Sequence, residues 1–593
     1  MISRFDYFII AVYLVFLAVI GVVFRRMSKD TSDYFRAGGS MPWYITGTSA
    51  WVFSFSAWTF TGAAGKVYET GTLVLVVFYA TALALTVALA FTCVRFRRMR
   101  VVTWTEAVRL RYGPLTEQFY IWIKLPLLLF FAGVSLNAVG VFMAAVFKVD
   151  LAHLLATLGV VVTLIAFTGG SWAVLASDFM QALLVVTITI STALMTLGRP
   201  EIGGLAGLAA KAPPAHFHWT QLARPQVIFL WVLANLWFKF SDENNMERST
   251  MYLMTRSDRD ARLMVWIPLA GMLIGPLFWF IPSMAAAVTH PHLAVEFPQL
   301  PQPHEAAFVA VSLDVMPAGL IGLLLCAMLG STVTSMDAGL NKNVGICIRS
   351  LYKPVFRPQA SEKHLLVAGK ICTLLFGLVV IACALLVNQF RRIGLFDLLN
   401  QLSANILMPL ALPLIYGLFF KRTPGWSAWT TVLVAGLSSW ALGRYVKPRM
   451  FQHCMGWTTP LSPREETDFL LAITTCGTAA VGTAWYFLTS LFYQVSPPAE
   501  RARSEAFFDK LSTPLATAAD SGPAILTHRL LGGLCMAYGT FILLLMLIPN
   551  RLAGRLAFLF SGGVILGVGA LMFAFARRRE TAAASGVTAA RHV

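Results

Sequence analysis

Runs of about twenty apolar residues recur along almost the whole chain. A helix rises 1.5 Å per residue, so about 20 residues cross the ~30 Å hydrocarbon core of a bilayer. No water is present there to satisfy backbone N–H and C=O groups, so only helices and closed barrels can span it. Barrel strands alternate apolar and polar residues. The runs here are apolar all round, which excludes a barrel and leaves one large all-helical bundle. Composition agrees, since 57% of the 593 residues are hydrophobic and only 12% are charged. A soluble chain of this length carries roughly twice that charge.

Spans are expected near 6–25, 44–66, 70–94, 117–147, 151–168, 173–197, 226–252, 262–289, 305–348, 365–388, 395–419, 427–444, 467–492, 530–548 and 553–576, about fifteen in all. The 305–348 run is longer than one crossing needs, so it must tilt or continue as a cytoplasmic extension. The first run ends in Arg25-Arg26 rather than at a small-residue cleavage site and reads as a retained span.

The net charge of +18 does not imply nucleic acid. Its basic residues sit at the ends of apolar runs, as in Arg97-Arg98, Lys421-Arg422 and Arg577-Arg578-Arg579. That is the pattern of cytoplasmic loops beside anionic lipid. Loops 25–43, 95–115, 253–262 and 349–364 are basic, whereas 290–304 has no Lys or Arg. The alternation puts the N-terminus outside and the C-terminus in the cytoplasm, with Arg391-Arg392 as the exception. The long polar stretch 493–529, with Pro497-Pro498, reads as a cytoplasmic linker. The eight cysteines show no pairing pattern, and Cys326, Cys372, Cys383 and Cys535 lie within apolar runs as small hydrophobes. No metal motif and no nucleophile–base pair appears in the spans, so an enzyme is not expected.

Polar residues inside spans carry the functional information, because they are costly there and usually face a water-filled path. Asp178 lies several residues into the span that follows Gly169-Gly170. It is either an interfacial acid or a cation ligand or proton carrier. The stretch "GSTVTSMDAG", 330–339, places Ser331, Thr332, Thr334 and Ser335 within five positions. On a helix Ser331, Thr334 and Ser335 share one face, and Thr332 lies beside them. Such hydroxyls either glue helices together or replace the hydration shell of a small cation. The span 44–66, "YITGTSAWVFSFSAWTFTGAAGK", is dense in Gly, Ser and Thr. It is either a close-packing helix or one that unwinds and turns its carbonyls toward Na⁺. Asn235 and Lys239 interrupt the 226–252 span on one face, and Lys239 either snorkels or faces a solute.

Taken together, these patches resemble the sodium:solute symporter family. "DYFRAGGSMPWYITGTS" resembles the family's first cytoplasmic loop and next span. "GGSWAVLASDFMQ" resembles its Gly-Gly-x-x-Ala-Val-x-x-Thr-Asp-x-x-Gln motif, with Ser177 where Thr is usual. "NLWFKFSDENNMER" and "GSTVTSMDAGLN" match two later spans. The match covers about 30–420. The family implies a LeuT-type fold of two inverted five-helix repeats, here 44–197 and 226–420, with 44–66 and 226–252 as the broken helices. Around them lie an extra N-terminal span and basic loop (1–43), an external loop (198–225), two accessory spans (421–492), the linker (493–529) and two C-terminal spans with a basic tail (530–593).

The resemblance also assigns sites. A first sodium site takes the carbonyls of Val52, Phe55 and Met328 and the hydroxyls of Ser331 and Thr332. A second takes Asp178, Ser331, Thr334 and Ser335, so one or two Na⁺ are implied. Sugar-carrying relatives place Gln at Thr59 and Glu at Phe78, and both partners are missing here. Asn235 and Gln401 match sugar-contacting positions, Phe238 matches the aromatic inner gate, and Ala63 lines the same path. A site that exchanges a buried carboxylate for Phe leaves a polyol's hydroxyls unpaired. Lys66 and Lys239 instead favour an anionic or zwitterionic solute. The expected activity is Na⁺-driven uptake of a small organic solute across a bacterial inner membrane. The partners are that solute and membrane lipid, with no nucleic acid, and the chain is a monomer or weak oligomer. The rivals are a proton-coupled carrier using Asp178 and a transporter-shaped solute sensor, for which 493–529 is too short to hold a signalling domain.

Overall fold

The structure, a computed structural model, describes residues 3–25, 39–54, 56–168, 171–390, 393–451, 455–515 and 522–590. All regular elements among them are helical, and one isolated bridge pairs Met41 with Thr255. Ten helices among the described residues are long and apolar enough to cross a membrane.

Helix α1 (Arg4–Arg25) packs against the helix that carries the hydroxyl cluster. The next span is broken. Helix α2 (Trp43–Ser54) ends, Ser56 is not helical, and the chain re-enters helix at Ala57. It then passes through a π-helical turn (Thr59–Ala63) into α3 (Ala64–Thr70). The local sequence offers the backbone alternatives to helix. Ser54 Oγ donates to the Ala50 carbonyl at 2.9 Å, and the Trp58 N–H donates to Ser56 Oγ at 3.3 Å. Phe55 lies outside the described residues.

The chain turns at Gly71, whose φ of +60 favours glycine and whose missing side chain admits His216. Helices α4 (Leu75–Val87) and α5 (Cys93–Arg98) return it. Then come α6 (Trp104–Tyr112), α7 (Pro114–Phe147), α8 (Leu151–Thr168) and α9 (Ser171–Leu197). Helix α10 (Pro225–Glu243) is continuous and stops at Asn244-Asn245, so the break expected within 226–252 falls only at its end. Asn235 explains why a polar residue does not break it, since its Nδ2 donates to the Trp231 carbonyl one turn back at 2.9 Å.

Helices α11 (Trp266–Trp279) and α12 (Ile281–Thr289) follow. The 305–348 run is two helices rather than one, α13 (Ala307–Val315) and α14 (Leu320–Ile346). Pro317 forces Met316 into extended geometry, and Gly319 takes φ +86. Helix α14 does run on into a π-helical extension, Cys347–Phe356. Asp6 of α1 fixes its start: one carboxylate oxygen accepts the N–H groups of Gly319 at 2.9 Å and Gly322 at 2.7 Å. A buried carboxylate at a helix N-terminus satisfies orphan donors and complements the dipole.

The remaining long helices are α15 (Glu362–Phe390), α16 (Leu395–Leu402), α17 (Met408–Tyr416), α18 (Ser427–Tyr445), α19 (Pro463–Thr489), α20 (Pro498–Ser512), α21 (Gly522–Leu544) and α22 (Leu552–Ala590). Helices α7, α9 and α14 form the centre, and α21 pairs with α22 as a hairpin against α9. The stretch read as a linker is a docked element. Phe507 and Leu511 of α20 are buried, Ser504 Oγ donates to the Lys421 carbonyl at 3.0 Å, and Arg98 donates to the Leu511 carbonyl at 3.1 Å. Basic loops gather on this face, where Arg98 pairs with Asp258 at 2.8 Å.

Candidate functional site

The helix break and the hydroxyl cluster meet. Thr332 of α14 is buried, and its Oγ1 accepts the Ala57 N–H at 3.1 Å across 275 residues of sequence. Ala57 is the first residue after the interruption, so this N–H is one of the donors that helix initiation leaves without a backbone partner. Ser331, also buried, donates to the Met328 carbonyl at 3.0 Å. Val52 lies in the last turn of α2, whose carbonyls point along the axis toward the break. The expected first-site residues Val52, Met328, Ser331 and Thr332 are thus all buried around one interruption.

Helix α9 packs on both α2 and α14 and brings Asp178 to them. Asp178 is buried, and its carboxylate accepts a hydrogen bond from Ser49 Oγ of α2. It is therefore an interior carboxylate rather than an interfacial acid. The side chains of Thr334 and Ser335 lie outside the described residues, although their backbone belongs to α14. The oxygens gathered here are carbonyls, hydroxyls and one carboxylate, a hard donor set suited to an alkali cation. Gly330 shows how tightly the hydroxyl turn is held: a side chain there would collide with the Gln181 amide of α9 and the Tyr13 hydroxyl of α1. We expect Gly330→Ala to cost about 1–3 kcal/mol by overpacking and to displace Ser331. A titration should then show weakened Na⁺ dependence, with solute affinity at saturating Na⁺ little changed.

Beside the break lies a cavity of about 100 Å³ bounded by Phe53, Ser56, Trp58, Ser135 and Leu399. Trp58 stacks on Phe396 of α16 at 5.8 Å between ring centroids and 7° between planes. Lys66 Nζ pairs with Asp397 at 2.9 Å and with Glu69 at 3.3 Å. The Leu395 N–H donates to buried Glu305 at 2.6 Å. On the basic face a larger cavity, about 240 Å³, reaches from Phe53 and Ser54 past Phe238 to Asp242, Glu247 and Lys342.

The expected solute residues divide. Asn235, Phe238, Asn400 and Thr475 border one small cavity, and Phe238 also borders the basic-face cavity. Gln401 and Lys66 border another cavity, with Trp231 and Asp397. Thr59 and Ala63 are fully buried in the π-helical turn, and the Thr59 hydroxyl has no hydrogen-bond partner among the described residues. Phe78 packs edge-on against Trp279 and Phe280, with centroids 6.1 and 5.1 Å away, so it belongs to an aromatic core. Lys66 is committed to two carboxylates, and the Lys239 ammonium lies 5.2 Å from the centre of the Phe238 ring. The lean toward an anionic or zwitterionic solute rested on these two lysines, and the Lys66 charge is balanced locally by Asp397 and Glu69. Sequence reasoning missed Ser49, Asp397 and Thr475. The dense polar run holding Ser49 was the only local signal for any of them.

A multi-helical membrane protein with a helix broken against a buried hydroxyl pair, and with cavities on either side of an aromatic residue, has the build of a secondary transporter. The model of the sodium:solute symporter family matches residues 34–434, and the chain belongs to that family. It is 26% identical over 492 residues to the sodium/myo-inositol cotransporter 2 of Homo sapiens, covering 75% of this chain and 71% of that one. It is 22% identical over 452 residues to the sodium/sialic acid symporter SiaT of Proteus mirabilis (strain HI4320), covering 72% and 88%. The fold matches a solved substrate-bound, outward-open Na⁺-coupled sialic acid symporter, with TM-score 0.65, 17% identity, and coverage of 84% of this chain and 99% of that one.

Proposed function

We propose that this symporter couples inward Na⁺ movement to uptake of a small, net-neutral polar solute. One Na⁺ is held by the carbonyls of Val52, Phe55 and Met328 with the hydroxyls of Ser331 and Thr332. A second is held by Asp178, Ser331, Thr334 and Ser335. The observation that carries the reading is the hydrogen bond from Ala57 to Thr332, which joins the helix break to the hydroxyl turn at one buried point. The architecture we infer has about fifteen spans, with inverted repeats at 44–197 and 226–420. The N-terminus is outside and the C-terminus cytoplasmic, in a bacterial inner membrane.

In this reading the basic-face cavity is the cytoplasmic vestibule, and the molecule faces inward. The Trp58–Phe396 stack and the Lys66–Asp397 pair then form the outer closure. Na⁺ and solute each raise the other's affinity by the same factor, because coupling between sites is reciprocal. Each charge moved inward gains about 2.3 kcal/mol per 100 mV of membrane potential. The test is a thermal-stability titration of purified protein in NaCl against choline chloride at fixed pH, followed by uptake in vesicles. Stabilisation by Na⁺ and Na⁺-dependent uptake are expected. Equal behaviour in choline, with uptake following an imposed pH gradient, would transfer the coupling to a proton on Asp178.

A further inference from the structure

Helix α19 lies beyond the residues that the repeats comprise, yet its face lines the route a solute would take. Residues Arg464, Thr467, Asp468 and Leu471 follow helical spacing along one stripe, and Thr475 continues it one turn deeper. The first four border the outer cavity with Lys66, Trp231 and Asp397. Leu471 and Thr475 border the next cavity inward with Asn235, Phe238 and Asn400. The two cavities share Leu471 and Asn400, and the second shares Phe238 with the basic-face vestibule. The three cavities therefore form a series from one side of the bundle to the other, with constrictions at Leu471 and Phe238.

The register of α19 is locked. Ser462 and Glu465 form a capping box, and Glu465 also accepts the Arg224 N–H at 2.8 Å, tying the head of α19 to the start of α10. A helix that only met lipid would have no use for an ion pair within its first two turns, but Arg464 pairs with Asp468 at 3.5 Å beside the Lys66–Asp397 pair. Both groups border the outer cavity at the head of the helix, where a polar solute entering it would meet them. We propose that α19 forms one wall of the solute path, with Arg464 and Asp468 completing an outer recognition subsite and Thr475 lining the inner constriction.

The chemistry of the subsite specifies its ligand. Two cations and two carboxylates line the cavity, so a monoanion gains no net attraction. The amides of Asn400 and Gln401, with Thr467, add donors and acceptors, and Trp231 and Phe396 add apolar faces. A net-neutral solute with several donors and acceptors fits, whether an uncharged polyol or a zwitterion. The cavity holds about 20 Å³ here, room for little more than one water, in keeping with the closed outer side. This inference rests on the transport reading above for its direction of flow, but not on the identity of the coupling ion.

The test is cysteine accessibility in the full chain carrying Cys476→Ala, in right-side-out vesicles. Thr467→Cys and Thr475→Cys are compared with Val481→Cys and Leu488→Cys, which lie on the exposed face of the same helix. Thr467→Cys should react with an external anionic methanethiosulfonate at least about tenfold faster than the two controls. Myo-inositol, D-glucose or L-proline should slow it, and N-acetylneuraminate should not. Protection by a polyol or by proline separates the uncharged from the zwitterionic source. Thr475→Cys should react with a small cationic methanethiosulfonate at a rate that differs between NaCl and choline chloride. If both cysteines react but neither rate depends on Na⁺, the path stands and sodium coupling fails. If Thr475→Cys is as inert as Val481→Cys in both salts, the path assignment is overturned. Protection by N-acetylneuraminate alone overturns the assignment of a net-neutral ligand.

Discussion

The double substitution Ser331→Ala with Thr332→Ala removes Na⁺-dependent stabilisation and solute uptake while the protein still folds. In the native chain Ser331 donates to the Met328 carbonyl and Thr332 accepts the Ala57 N–H, both neutral hydrogen bonds. Losing a neutral bond of this kind costs about 0.5–1.5 kcal/mol, which a large bundle survives. Contacts to a charged ligand are worth about 1.5–3 kcal/mol each. Losing two such contacts corresponds to roughly a hundredfold to ten-thousandfold weaker Na⁺ binding. The measurement is the Na⁺ concentration for half-maximal thermal stabilisation, paired with uptake at saturating solute. Thr332→Ser keeps the oxygen and should retain most activity. A double variant whose half-saturation stays within about threefold of the parent would remove Ser331 and Thr332 from the ion site.

The break in the 44–66 span followed from the family resemblance, while the residues alone left it open, although its cause is local. Ser54 and Ser56 offer hydrogen bonds that compete with the helix within a few residues. Asp178 stood out because a carboxylate inside an apolar run is costly, but its burial was not legible, since an interfacial acid reads the same. Nor was its partner Ser49, since the two lie 129 residues apart and meet only when α2 packs on α9. The partner of Lys66 was hidden for the same reason. Nothing near it in sequence indicates that Asp397, 331 residues away, neutralises it. The continuity of α10 escaped notice because Asn235 turns its polarity back onto its own helix. The place of α19 beside these cavities was hidden because Arg464 and Asp468 sit where a span normally ends in polar residues, so they read as a simple boundary.

Glu247→Gln should destabilise the protein more than any change at the solute cavities. Glu247 sits in the turn after α10 and is held by Lys124 of α7 at 2.6 Å and Lys342 of α14 at 3.0 Å. The three side chains are only 6–15% exposed. Burial alone would raise the Glu247 carboxyl, but the two ammonium groups outweigh it and hold the group well below the usual carboxylate range. A depressed carboxyl contributes stability above its unfolded value, near 4.3, and loses it only as pH falls through the folded one. The triad's contribution is therefore flat from about pH 5 upward. Glutamine removes the charge and leaves two buried ammonium groups facing each other, at a cost of about 3–5 kcal/mol. The measurement is the thermal midpoint of the full chain in detergent between pH 5 and 8, where the drop should be independent of pH. The triple variant Lys124→Met, Glu247→Met and Lys342→Met removes all three charges and should recover most of the loss, because apolar replacement of a complete buried ion triad is often neutral. If Glu247→Gln melts like the parent while solute KM rises, Glu247 would instead be a solute ligand at the cytoplasmic mouth, and the joint between α7 and α14 would have to be held by other contacts.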